Sequence, residues 1–186
     1  MVSKKKVNIL TKPLIFDTDC LSAFLWVNQQ SLLVQLYPDQ IVIPSEVLTE
    51  LSFPGIAHLK ARINLMIINK DVKLASIQTG TEEYKLYRKM TAKPEPGHVI
   101  IGKGEAAAIA LAKVQDGIVA SNNLRDVQSY VSEMGLQLIT TGEIFKDALD
   151  AGLITEAVGN KLWQDMLKRR RKLGYVSFTE YLKKNS

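Results

Sequence analysis

The order in which apolar runs follow one another constrains this fold most. Short apolar runs of strand length lie at positions 14–16, 41–43, 72–77, 117–120 and 136–139. Longer segments between them have apolar residues at i, i+3 and i+4, as in amphipathic helices, at positions 21–27, 47–51, 59–67, 105–114 and 124–134. Strands that alternate with helices predict parallel strands joined by crossover helices. We therefore expect an α/β fold, a three-layer parallel sheet with helices on both faces.

The last part of the chain has helical patterns only. Thr140 and Glu143 have the spacing of a capping box, and the helix that they begin should end at Gly152. Thr155 and Ser177 are suited to cap two further helices. We expect a basic N-terminal tail at 1–13, an α/β domain at 14–153, and a helical C-terminal extension at 154–186. The extension would pack on the same domain or on a dimer partner.

The composition excludes several kinds of site. The 186 residues are 46% hydrophobic and 23% charged, which is typical of one globular domain with its own core. Cys20 is the single cysteine, so an internal disulfide, a cysteine-rich zinc site and an iron–sulfur cluster are excluded. Two histidines, His58 and His98, are too few for a histidine-rich metal site.

Hydropathy and net charge indicate where in the cell the protein is located and what kind of partner it binds. No apolar run approaches the ~20 residues that span a bilayer, and none follows the basic N-terminal residues to complete a signal peptide. We expect a cytoplasmic protein without membrane contact. The formal net charge of +5 favours acidic partners such as nucleic acid, but it does not establish nucleic-acid binding.

Acidic and polar residues follow two of the predicted strands. Asp17 and Asp19 come after the first strand, and Ser121, Asn123 and Asp126 come after the strand at 117–120. Ligands bind at the carboxyl ends of the strands in an open parallel sheet, so these side chains are expected at one site.

Glu50 and Glu105 lie in helices that begin at the same edge, so four segments could converge there. Carboxylates without histidine or cysteine suit Mg²⁺ or Mn²⁺ rather than zinc. Each acid also has a plain structural explanation, because Asp17 or Asp19 could be a helix N-cap and Glu105 could complement a helix dipole.

The ordered set of segments resembles the PIN-domain family of metal-dependent ribonucleases. The resemblance covers residues 14–153 and rests on the segments at 14–19, 43–51, 102–112, 118–126 and 136–154. It implies a parallel-sheet endoribonuclease that uses Mg²⁺ or Mn²⁺ to activate water for in-line attack on phosphorus. The products would carry a 5′-phosphate and a 3′-hydroxyl. Many such proteins are the toxin of a toxin–antitoxin pair, so an antitoxin protein and a homodimer are further expected partners beside RNA.

The resemblance also assigns roles to individual residues. Asp17, Glu50 and Glu105 match the first three acidic positions, which are catalytic and bind the metal. Asn123 stands where the family usually has an aspartate and could bind metal through its carbonyl oxygen. Asp126, one helical turn further on, is our candidate for the missing carboxylate.

Supporting and RNA-binding residues complete the prediction. Asp19 and Ser121 are expected to support the metal site. The candidate RNA-binding residues are Lys103, Arg125, Arg169, Arg170 and Arg171. Arg125 could instead simply neutralise Asp126, and the basic run at 168–172 could be a solvated helix end.

Two alternative functions follow from particular residues. Asn123 supplies no charge, which favours a PIN-like RNA- or protein-binding module with weak or no catalysis. Gly102, Gly104 and Ala107 fit the G-x-G-x-x-A fingerprint of dinucleotide binding. Glu105 argues against a dinucleotide because it would place a carboxylate beside the pyrophosphate.

Overall fold

The computed structural model describes residues 12–185, which form five strands and ten α-helices around one sheet. The first half comprises β1 (Leu14–Phe16), α1 (Thr18–Trp26), α2 (Gln30–Leu36), β2 (Ile41–Pro44), α3 (Ser45–Glu50), a 3₁₀ turn (Pro54–Ile56), α4 (Ala57–Ile68), β3 (Lys73–Ala75) and α5 (Glu82–Ala92). The second half comprises α6 (Lys103–Val114), β4 (Ile118–Ala120), α7 (Leu124–Glu133), β5 (Gln137–Ile139), α8 (Thr141–Asp150), α9 (Glu156–Lys168) and α10 (Phe178–Lys184).

The sheet is parallel throughout, with strand order β3-β2-β1-β4-β5. The chain builds outward from β1 to β2 and β3, and then returns to place β4 and β5 on the other side of β1. The order therefore reverses between β1 and β4, and such a switch point leaves a crevice at the carboxyl ends of the two strands. Asp17 and Ser121 follow β1 and β4 directly, so both lie at this crevice.

Alternating side chains of the central strand enter two separate cores. Leu14 and Phe16 of β1 belong to one buried cluster, and Ile15 belongs to the other. Successive side chains of a strand point to opposite faces of the sheet, so both faces of β1 need a covering layer. The Ala-rich α6 provides part of the second layer, because its small side chains are almost all buried. The three-layer α/β prediction is confirmed.

The C-terminal helices pack on the face of the sheet that carries Phe16. Trp163 and Phe178 are fully buried in that cluster. Their rings lie 5.8 Å and 5.5 Å from the ring of Phe145 in α8. Gly159 permits this packing, because a Cβ there would lie 2.5 Å from the Phe178 ring. Burial of such large aromatic side chains makes the extension part of the core.

The predicted strands and most helices agree with the structure, with shifts of one to a few residues at their ends. The capping box of Thr140 and Glu143 forms, and Thr155 and Ser177 cap α9 and α10. The sequence pattern does not predict two of the helices, α2 and α5. α5 is mostly polar, and its apolar residues Leu86, Tyr87 and Met90, which pack in the second core, form only a short stripe of helical spacing.

The expected basic tail lies mostly at residues 1–11, outside the described part of the chain. Within residues 12–185, no helix has the length and apolar character needed to cross a bilayer.

Candidate active site

Asp17 is the most buried acid at the crevice. It directly follows β1 and caps α1, where its Oδ1 accepts a hydrogen bond of 2.7 Å from the backbone N–H of Cys20. The residue has no solvent exposure, and its Oδ2 makes no hydrogen bond of normal geometry with any described residue. Buried carboxylate oxygens are almost always satisfied, so an open one indicates a place for a further partner.

The surroundings of Asp17 favour its protonated form. The pKa of Asp17 is raised to about 8, chiefly by burial and to a smaller extent by the negative charges of Asp19 and Glu105. The Ser121 side chain and the Cys20 N–H act in the opposite direction and lower the pKa in part. A positive charge beside Oδ2 would favour the ionised carboxylate.

Glu50, the last residue of α3, is fixed by two other elements. Its Oε2 accepts a hydrogen bond from the Thr18 hydroxyl at the start of α1. Its Oε1 accepts one of 2.9 Å from the backbone N–H of Gly104 in the first turn of α6. A side chain at Gly104 would crowd this contact, because its Cβ would lie 2.8 Å from Glu50 Oε2 and still closer to Thr18 Oγ1. These contacts turn the Glu50 carboxylate toward the beginnings of α1 and α6.

Glu105 and Asp126 are joined by the side chain of Asn123. The Asn123 amide nitrogen donates to Glu105 Oε1 at 2.6 Å and to Asp126 Oδ2 at 2.8 Å. Glu105 Oε2 accepts from the backbone N–H of Gly102, which completes a cap on α6. Asp126 Oδ1 accepts from Arg125 Nε at 3.0 Å, and hydrogen bonds from Arg125 and Asn123 lower the pKa of Asp126.

The residues after β4 hold the crevice in shape. Ser121 is fully buried, and its Oγ accepts from the backbone N–H of Asn123 at 3.2 Å. Asn122 accepts from the Thr141 N–H and donates to the Thr141 hydroxyl, both at 2.9 Å. These bonds tie the β4–α7 turn to the start of α8.

Asp19 faces the C-terminal extension. Its Oδ1 lies 3.3 Å from Arg171 Nη1, and the same guanidinium nitrogen donates to Ser22 Oγ at 3.0 Å. Burial raises the pKa of Asp19, while the charges of Arg171 and Lys172 lower it. Asp19 therefore binds the extension of its own chain.

The other basic candidates have separate environments. Lys103 is exposed at the first position of α6, and the Arg125 side chain is 88% exposed. Arg169 lies 5.4 Å from the ring centre of Trp26 in a cation–π contact. Arg170 is exposed and has a positive φ of 60°.

The sequence did not single out the partners of Glu50. Thr18 directly follows Asp17, and Gly104 directly precedes Glu105, so both adjoin predicted acids. That adjacency was the available signal, but the contact between α1, α3 and α6 depends on the tertiary fold.

The crevice offers carboxylate, amide and hydroxyl oxygens as possible metal ligands. Hard divalent cations such as Mg²⁺ and Mn²⁺ prefer oxygen ligands of this kind. The open Oδ2 of Asp17 fits such an ion. Among residues 12–185, however, no three histidine, cysteine, aspartate or glutamate side chains are already grouped as a metal cage. The carboxylates of Glu105 and Asp126 accept hydrogen bonds from the Asn123 amide nitrogen, so they would exchange this partner on binding an ion.

Comparison with known proteins agrees with the observed fold. No curated protein matches the chain. A family model described as a PIN domain matches residues 13–184, which includes the sheet, the acidic residues and the helical extension. The chain therefore belongs to the PIN-domain family.

Proposed function

We propose that the chain is a metal-dependent endoribonuclease that hydrolyses phosphodiester bonds in RNA. A PIN domain is a nuclease-type module, and RNA is the substrate that the family suggests. The observation that carries the proposal is the fully buried Asp17, whose Oδ2 makes no hydrogen bond of normal geometry with a described residue. It lies at the switch point of a parallel sheet, where ligands of such sheets bind.

The proposed ligands come from four segments of the chain. Mg²⁺ or Mn²⁺ would be held by Asp17, Glu50, Glu105 and Asp126, with Asn123 as a neutral ligand through its carbonyl oxygen. When bound, such an ion activates water and offsets the charge of the phosphodiester. Asp17 can accept the ion through Oδ2 without losing its bond to Cys20. Asn123 would have to turn its amide oxygen toward the ion.

Other residues of the chain would orient the site. Thr18 and Gly104 hold the carboxylate of Glu50, so Glu50 loses little side-chain freedom on binding an ion. Ser121 lies close enough to lower the pKa of Asp17, and its hydroxyl is suited to orient the attacking water. Hydrolysis by in-line attack would leave a 5′-phosphate and a 3′-hydroxyl.

A second candidate is a PIN-like module that binds RNA or protein without cutting. Asn123 favours it, because the residue donates hydrogen bonds to Glu105 and Asp126 and brings no charge of its own. A site with one fewer carboxylate attracts a divalent ion less strongly. Metal-independent RNA binding without cleavage is the result that this candidate predicts.

The proposal also covers the partners of the protein and its cellular location. A cytoplasmic toxin with its antitoxin, and a homodimer, are the finer expectations that the family resemblance adds. Copurification of the chain expressed with its neighbouring gene tests the first, and light scattering of the pure protein tests the second.

Cleavage of a mixed set of end-labelled RNAs in Mn²⁺, Mg²⁺ or EDTA tests the proposal. Asp17→Asn should abolish cutting. Asp39→Asn is the matched control, because Asp39 is exposed and precedes β2, at the opposite edge of the sheet. Metal-dependent cutting that Asp17→Asn loses and Asp39→Asn keeps is the expected result. Equal cutting by the wild type and Asp17→Asn would remove Asp17 from the mechanism.

A further inference from the structure

Residues 169–175, which we name the C-terminal turn, return from α9 to the edge of the sheet that carries the acids. The backbone N–H groups of Arg170 and Arg171 bond to carbonyls at the end of α9, and Arg170 adopts the left-handed conformation that reverses the chain. At the other end of the turn, Trp163 Nε1 donates to the carbonyl of Tyr175 at 3.0 Å. Because Trp163 is fully buried, this bond fixes the turn to the core.

One side of the C-terminal turn is bound to the start of α1. The guanidinium of Arg171 contacts Asp19 at 3.3 Å and Ser22 at 3.0 Å. The Arg171 side chain is 23% exposed, so much of it is enclosed by the protein. Arg171 therefore serves as an anchor of the turn and has few donors left for another ligand.

The other side of the C-terminal turn faces the loop after β4. Leu173, Gly174 and Tyr175 line a small cavity of about 120 Å³ together with Asn122 and Leu124. Asn122 and Leu124 flank Asn123, the residue that bridges Glu105 and Asp126. The turn thus extends from α1 on one side of the crevice to the β4–α7 loop on the other.

Lys172 lies between these two attachments. It is exposed, and it makes no hydrogen bond or ion pair with the described residues 12–185. Its neighbour Arg171 contacts Asp19 of α1, and its other neighbour Leu173 lines the cavity beside Asn122 and Leu124. Lys172 therefore lies at the rim between α1 and the loop that precedes α7.

We propose that Lys172 contacts a phosphate of the RNA strand beside the scissile bond, and that Arg171 positions it by anchoring the C-terminal turn to Asp19. The inference rests on the proposed ribonuclease function and names a substrate contact of that same site. A polyanion that enters a cluster of carboxylates is repelled, and a cation at the rim reduces that repulsion. Lys172 lies at this rim, and it makes no hydrogen bond or ion pair with another residue of the described chain.

The test compares Lys172→Gln and Lys172→Arg with Lys161→Gln. Lys161 is an exposed lysine of α9, so the control removes one positive charge from the same extension. One arm measures kcat and KM in Mn²⁺ on a short fluorescein-labelled single-stranded RNA. The other arm measures binding of that RNA in EDTA at several salt concentrations, with every variant in an Asp17→Asn background.

Lys172→Gln should raise KM about tenfold, the size expected for one charge-assisted contact, and should leave kcat nearly unchanged. Binding in EDTA should weaken by a similar factor, and the slope of log affinity against log salt should decrease by about 0.7 for one lost phosphate contact. Lys172→Arg keeps the charge and should stay close to the wild type.

Two results would overturn the inference. One is a Lys172→Gln protein whose KM, RNA affinity and salt slope equal those of Lys161→Gln. The other is a Lys172→Gln protein that changes only the Mn²⁺ concentration needed for half-maximal activity, which would make Lys172 a modulator of metal binding. If the wild type cuts no RNA, the proposed function fails by itself, and the binding arm in EDTA still decides the role of Lys172.

Discussion

The side-chain amide nitrogen of Asn123 lies 2.6 Å from a carboxylate oxygen of Glu105. The same nitrogen donates to Asp126 at 2.8 Å, so one neutral side chain separates two acids. An aspartate at position 123 would instead place three carboxylates in contact. Asn123 therefore allows Glu105 and Asp126 to lie close together without a metal ion, because its amide nitrogen donates a hydrogen bond to each carboxylate.

Asn123→Asp should make the stability of the fold depend on metal. In EDTA the new carboxylate loses two donated hydrogen bonds and repels Glu105 and Asp126, which we expect to cost about 1–3 kcal/mol. In Mn²⁺ the added ligand should recover much of that loss and raise cleavage. Thermal denaturation in EDTA and in Mn²⁺ measures the difference, with Asn123→Ala as the variant that loses the bonds without adding charge. Equal stability of the two variants in EDTA would contradict the predicted repulsion.

Asp17→Asn should stabilise the metal-free protein, increasingly so as the pH rises. Burial raises the pKa of Asp17 in the folded chain to about 8 from an ordinary value of 3.8. The folded state then holds a proton that the unfolded state has released, so the favourable contribution present below pH ~4 is lost as the pH rises toward 8. Asparagine is also a good N-cap, so the cap on α1 should persist.

The melting temperatures of wild type and Asp17→Asn in EDTA, at pH 5 and pH 8, measure this effect. We expect the advantage of Asp17→Asn to grow by at least ~1 kcal/mol between the two pH values, which is about 2–4 °C in a chain of this size. A difference in melting temperature that does not change with pH would show that the Asp17 carboxyl titrates normally.

Gly104→Ala should displace Glu50. The added methyl would lie 2.8 Å from Glu50 Oε2, in a crowded contact between α1, α3 and α6. Overpacking of this kind costs about 1–3 kcal/mol, and the shifted carboxylate should also reduce metal-dependent cleavage. Gly55→Ala is the control, because a Cβ at position 55 would have no heavy atom of another residue within 4 Å beyond its chain neighbours. Urea denaturation and cleavage rates test both variants, and equal behaviour of the two would contradict the predicted clash.

Arg171 and Asp19 should be energetically coupled. Both side chains are at least two-thirds enclosed, with exposures of 23% and 30%. A double-mutant cycle of Arg171→Gln and Asp19→Asn should give a coupling energy of about 1 kcal/mol or more in urea denaturation. The exposed pair Lys146 and Asp150 is the comparison, and pairs of that kind give about 0.3–0.5 kcal/mol. A coupling no larger than that of the exposed pair would mean that Arg171 does not anchor the C-terminal turn.

Short sequence patterns predicted most of the fold, because a buried strand or a helix cap is specified by residues that lie close together in the sequence. The fully buried β1 is a short apolar run that ends at Asp17, and the cap of Thr140 on α8 is apparent from Glu143 three positions later. The mostly polar α5 was not predicted, because its apolar stripe of Leu86, Tyr87 and Met90 is short and lies among charged residues.

The site was less accessible to sequence reasoning, because its contacts join distant parts of the chain. The positions of the acidic residues along the sequence indicated which strand ends carry the site. The bond from Gly104 to Glu50 joins residues 54 positions apart, and the pair of Arg171 and Asp19 joins residues 152 positions apart. The second pair depends on how the C-terminal helices pack around Trp163, and local spacing does not specify that packing.

Calorimetric titration of Mn²⁺ into the metal-free protein tests most directly whether the carboxylates at the strand ends form the metal site. The wild type and Asp39→Asn should bind Mn²⁺ alike, and Asp17→Asn should lose binding by at least about tenfold because it removes the ligand with an open oxygen. Equal Mn²⁺ affinity of Asp17→Asn and the wild type would contradict the account, because the ion would then bind without the carboxylate on which the proposed site depends.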